Sequence, residues 1–159
     1  MLGLTPLGVV HTLVALLAVV CALVSFARHH KIDPRARTGK IYIVATLVTC
    51  LTGFGIFQHG GFGDAHVLGI ATIVVLGIAI AAGQTRLFGK LSKYIETVSY
   101  TTTFFFHLIP AIVETTTRLP ADAPLFATAQ APELKAATGL ILVSLMIVAG
   151  WQVRSITRS

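Results

Sequence analysis

The sequence predicts an all-α integral membrane bundle of five transmembrane helices, a single domain over residues 1–159. Three observations carry that prediction. Only 11% of the 159 residues are charged, against about 25% in an ordinary soluble domain. Hydrophobic residues make up 55% and the mean hydropathy is +0.84. The apolar residues also fall into five runs, each close to the ~20 residues that a membrane crossing needs. Soluble, disordered and disulfide-scaffold classes are excluded by the first two observations.

The first run extends from Pro6 to Ala27. It lacks a basic leader and an A-x-A cleavage site, so it reads as a retained anchor rather than a signal peptide. The second run is Ile41–Phe57 and the third is Ala65–Gly83, joined by a tight Gly60-Gly61-Phe62-Gly63 turn. The fourth, Tyr94–Thr116, is the most polar. The fifth, Leu134–Val153, carries Gly139, Ser144 and Gly150 within its apolar stretch. Between the last two, Thr117–Glu133 carries Pro120, Pro124 and Pro132 and reads as a surface loop or short interfacial segment.

Lysine and arginine set the orientation. Arg28, Lys31, Arg35, Arg37 and Lys40 lie between the first two helices, Arg86, Lys90 and Lys93 after the third, and Arg154 and Arg158 in the tail. With five spans these ten share one side, and only Arg118 and Lys135 lie on the other. The positive-inside rule then places the amino terminus outside and the carboxy terminus in the cytoplasm of a bacterial inner membrane. The net charge of +6 therefore reads as topology and anionic-lipid contact, not as nucleic-acid binding. Cys21 and Cys50 sit inside apolar runs and read as packing residues.

Six histidines are many for so apolar a chain. His29 and His30 fall in the basic loop and read as solvated groups. His11, His59, His66 and His107 all fall in the outer half or at the midplane. Ionisable side chains in a span are costly and turn toward the bundle interior, and imidazole ligates haem iron, zinc and copper. Three readings follow: interhelical hydrogen bonds around a wet cavity, ligation of haem b or a metal, or a proton relay. A haem pair could be His11 with His107, at depths of about 7 and 14 Å on a 1.5 Å rise, or His11 with His66. A zinc or copper site would draw on His11, His59, His66, His107 or Glu114, with Asp64 behind it. On the fourth helix Thr103, His107, Pro110, Glu114 and Arg118 recur every three or four residues. Glu114 and Arg118 form an i,i+4 pair, and His107 stands two turns from Glu114, too far to clasp one ion.

His11, the basic loop, the Arg37-Thr-Gly-Lys-Ile-Tyr42 start of the second helix and His66 at the start of the third resemble a family of small bacterial multi-pass membrane proteins. That family is known chiefly as predicted membrane proteins of unknown function. The likeness covers roughly residues 11–83, and the chain departs from it at Ala36, where many relatives carry histidine. It implies a multi-pass topology and no particular activity.

The functional expectation is a small cofactor protein, with haem b or a transition metal held by His11, His66 and His107 for electron transfer or redox chemistry. Its partners would be the lipid bilayer, a redox protein and a second copy of itself. The alternative is an accessory or scaffold subunit of a larger membrane complex with structural histidines. An intramembrane hydrolase using Glu114 as base is a third reading. A transporter finds no support, because there is no pair of broken helices.

Overall fold

A computed structural model of the chain describes residues 5–57, 61–85, 87–120 and 122–158. Within them lie five long α-helices and no strand. The helices are α1 (Pro6–His29), α2 (Arg37–Gly53), α3 (Asp64–Thr85), α4 (Ser92–Arg118) and α5 (Pro132–Arg158), with a short 3-10 turn at Gly89–Leu91.

The ends follow from local chemistry. The Thr5 hydroxyl accepts the Gly8 N–H at 3.1 Å and Pro6 takes the first helical position, so α1 starts there. It stops at His30, whose left-handed backbone (φ 56°) returns its N–H to the Phe26 carbonyl. The Ser25 hydroxyl then donates to the Lys31 carbonyl and accepts the Asp33 N–H. These bonds fold the basic loop back beneath α1. A side chain at Gly39 would collide with the Asp33 carbonyl, so glycine is needed where α2 leaves that loop. The second helix accordingly begins at Arg37, four residues before the apolar run. It ends at Gly53, four residues before that run does, in a turn closed by Gly55 N–H to Thr52 and Ile56 N–H to Gly53.

Successive helices pack side by side, and α4 also touches α1. The core is built from Ala18, Cys21 and Ala22 of α1, Tyr42 and Ala45 of α2, Leu76 and Ala79 of α3, and Tyr100, Phe104 and Phe105 of α4. Its small residues let helix backbones approach. Both cysteines are buried and free. Of the three consecutive phenylalanines, Phe104 and Phe105 are buried against the core, Phe104 lying 5.2 Å from Phe26 between ring centroids. Only Phe106 of that block is partly exposed, so it meets the surface less than its consecutive spacing suggests.

The span expectation is met in part. Among the described residues, three helices are long and apolar enough by composition to cross a membrane, namely α1, α3 and α5. The reason lies in what the other two carry. Helix α2 has 17 residues and opens on Arg37 and Lys40, while α4 is rich in hydroxyl side chains. Several of their polar side chains are turned into the bundle, where Thr46, Thr97, Thr101, Thr103 and His107 are all buried.

Candidate functional site

The site is assembled where α1 and α4 meet α2. His11 reaches across from α1, and its Nδ1 lies 3.1 Å from the Thr52 hydroxyl. That hydroxyl donates its own proton to the carbonyls of Val48 (2.8 Å) and Thr49 (3.0 Å). It can therefore only accept from His11, so Nδ1 carries the ring proton and Nε2 carries a free lone pair. Gly53 makes room for the ring: a Cβ there would stand 3.2 Å from His11 Cε1.

His107 is held from the other side. Its Nε2 lies 3.1 Å from the Thr46 hydroxyl, and the ring meets Tyr42 edge-on with centroids 6.1 Å apart. The Tyr42 hydroxyl lies 2.7 Å from that of Thr103. Since Thr103 donates to the Tyr100 carbonyl at 2.8 Å, Tyr42 is the donor and Thr103 the acceptor. Helix α4 continues through Pro110, which leaves the Phe106 carbonyl without its helical N–H. Glu114 itself closes the i,i+4 ion pair with Arg118 that its spacing suggested.

His66 makes its contacts elsewhere. It is 7% exposed and stacks with Phe57 and Phe62 at 5.0 and 5.1 Å and with Phe54 at 6.5 Å. Its Nδ1 accepts the Gly63 N–H at 3.2 Å, which puts the ring proton on Nε2. That atom is buried without a partner among the described residues. A protonated Nε2 is a donor and offers no lone pair to a metal. His59 lies outside the described residues. Among the described residues, no three His, Cys, Asp or Glu side chains gather with the spacing of a metal site. The structure thus sets His11 and His107 against threonines of the same helix, α2, and does not join His66 to them.

Residue reasoning overlooked the contribution of α2. Tyr42, Thr46, Thr49 and Thr52 recur every three or four residues, a polar stripe on a helix whose other residues are mainly apolar. That stripe was the available signal.

What the fold defines is a class: an all-helical protein, three of whose helices suit a membrane, with a histidine pair held by threonines. No known protein family, curated protein or solved structure matches the chain.

Proposed function

We propose that the chain is a bacterial inner-membrane protein of five spans, amino terminus outside, that holds haem b or copper on His11 and His107 for electron transfer. The observation that carries this reading is the His11 ring, whose Nδ1–H is tied to Thr52 while Nε2 keeps its lone pair. Ligating histidines are ordinarily oriented through the other ring nitrogen in this way. His107 offers a second imidazole, oriented by Thr46. Two imidazoles are a sufficient donor set for haem iron or copper. Zinc, which takes four ligands in structural sites and three in catalytic ones, is served less well. Bound iron or copper would supply one-electron chemistry, and the protein's part is to fix the two rings and keep bulk water away.

Five spans are supported by the inward turn of the polar side chains of α2 and α4, which leaves apolar residues such as Val44, Val48 and Leu51 of α2 outward. Orientation rests on the ten-to-two division of lysine and arginine. The absorption spectrum of the detergent-purified protein, oxidised and then reduced with dithionite, tests the cofactor, together with metal analysis. The expected result is a Soret band whose companions sharpen on reduction, or stoichiometric copper. A colourless, metal-free protein overturns it.

That outcome would favour the accessory-subunit reading, which has its own support. Helix α5 packs on α4 alone and exposes Leu140, Met146 and Ile147 at 67–75%. A partner co-purifying in stoichiometric amount with the colourless chain would establish it.

A further inference from the structure

The two ends of the bundle differ in charge, and the last turns of α5 carry part of the excess. At the end where α1 stops and α2 starts, Arg35 lies 3.9 Å from Asp33 and 3.6 Å from Glu96. The other carboxylate side chains, Asp64, Glu114, Asp122 and Glu133, belong to the opposite helix ends and the loop between α4 and α5. Helix α5 finishes at the basic end. There the Lys93 ammonium donates to the Ile156 carbonyl at 3.4 Å, and Gln152 donates to the His30 carbonyl at 3.1 Å. Arg154 and Arg158, one turn apart, are exposed and form no ion pair among the described residues. With Trp151 and Ser155 they line an open groove of about 270 Å³.

The same face of α5 is apolar over the turns that lead to the groove. At 3.6 residues per turn, Leu140, Val143, Ile147, Trp151, Arg154 and Arg158 share one stripe. Its three aliphatic members are 53–68% exposed, and Trp151 is 52% exposed. Gly150 falls in this stripe, one turn from Arg154, and a Cβ there would stand in open space. From Leu140 to Trp151 the stripe runs about 16 Å at 1.5 Å per residue. That is half of the ~30 Å hydrocarbon core, the depth of one leaflet.

A phospholipid has this order of chemistry along its length. Its acyl chain fits the aliphatic turns and the bare backbone at Gly150. Its phosphate meets two guanidinium forks, which match phosphate oxygens bidentately, and the Ser155 hydroxyl as a further donor. Trp151 stands between the two parts, at the level where indole rings settle in a bilayer. A zwitterionic headgroup would bring a cation toward the arginines, whereas an anionic one brings none. We propose that the face of α5 from Leu140 to Arg158 binds one anionic phospholipid, its phosphate held by Arg154 and Arg158. The site needs α5 in a membrane and no bound cofactor, so it stands apart from the electron-transfer reading.

Trp151 is the sole tryptophan of the chain and serves as the reporter. The intact chain is reconstituted in phosphatidylcholine vesicles that contain a varied fraction of phosphatidylglycerol with brominated acyl chains, or of brominated phosphatidylcholine. Bromine quenches the indole on contact. In the wild type, half-maximal quenching should need about 25-fold less brominated phosphatidylglycerol, about fivefold for each basic residue at an anionic headgroup. Arg154→Gln and Arg158→Gln should each lower that preference about fivefold. Lys40→Gln removes the same charge at the same end, on α2, whose described residues do not pack on α5, and should leave the preference unchanged. Equal quenching by the two lipids in the wild type overturns the site. So does a preference that survives both arginine substitutions, or one that Lys40→Gln lowers equally, since the field of the whole basic end would then be its source. Protection of Trp151 from both lipids also overturns it and puts a second protein chain on this face.

Discussion

Helices α4 and α5 are each 27 residues long, yet they are built for opposite surroundings. Helix α4 packs on α1, α3 and α5, reaches α2 through Thr103 and His107 and buries eight residues, among them Thr97, Thr101, Thr103 and His107. Among the helices, α5 packs on α4 alone, and it buries three residues, of which only Gln152 is polar. By composition α5 is the evident membrane helix and α4 is not. The contrast teaches that hydropathy reports which residues a helix shows to lipid. A helix surrounded by others can spend its length on hydroxyls and imidazole, provided each finds a partner.

The widest separation between the two should come from truncating their large side chains. Phe104→Ala removes a ring packed on Phe26 and Phe105 at 5.2 and 5.7 Å, and should cost about 3 kcal/mol. Met146→Ala, at a position 75% exposed, should change stability by less than about 0.5 kcal/mol. Unfolding in bilayer discs measures both. Equal costs would mean that the outer face of α5 is buried against another subunit, which would break the contrast.

A smaller effect is expected where α5 makes its buried polar tie. Gln152 accepts the Thr101 hydroxyl at 2.8 Å and donates to the His30 carbonyl at 3.1 Å, while His30 packs edge-on against Trp151. Gln152→Leu leaves the hydroxyl and the carbonyl unsatisfied, at about 2 kcal/mol. It should also loosen the 30–36 loop, seen as faster amide exchange there. Unchanged exchange would show that the Ser25 hydroxyl holds the loop without help from α5.

The five helices were legible because each apolar run is long and bounded by charge or glycine. The Glu114–Arg118 pair was legible from spacing alone, since i,i+4 neighbours meet on any helix. That His11 and His107 would both meet threonines of α2 was not, because a one-dimensional pattern carries no order of helices around a bundle. His66 shares a depth with His11, yet its ring lies among Phe54, Phe57 and Phe62. Nothing about its spacing distinguishes a ligand from a ring stacked on phenylalanines. The division into three apolar and two more polar helices has a related cause. Length and hydropathy are properties of one segment, whereas the burial of Thr46 or Thr103 depends on which neighbour faces it.

At the site itself, ligand and support can be separated by substitution. His107→Ala should abolish retention of the cofactor, whereas His66→Ala should leave its stoichiometry intact. Full occupancy after His107→Ala would remove that residue from the ligand set.

The smallest change in stability with a readable consequence is Thr52→Val. Interhelical hydrogen bonds in membranes average about 0.6 kcal/mol, so losing the 3.1 Å contact with His11 should scarcely alter unfolding. What it removes is the acceptor that holds the ring proton on Nδ1. The imidazole is then free to rotate and to exchange tautomers, and the lone pair on Nε2 is no longer fixed in direction. Cofactor affinity should fall by about 10- to 100-fold, the usual consequence of losing the hydrogen bond behind a ligating histidine. Thr52→Ser, which keeps the hydroxyl, should restore it. If both variants retain the cofactor as the wild type does, the Thr52 bond merely packs α1 on α2. The buried polar groups of α1, α2 and α4 would then differ from the apolar face of α5 in composition alone.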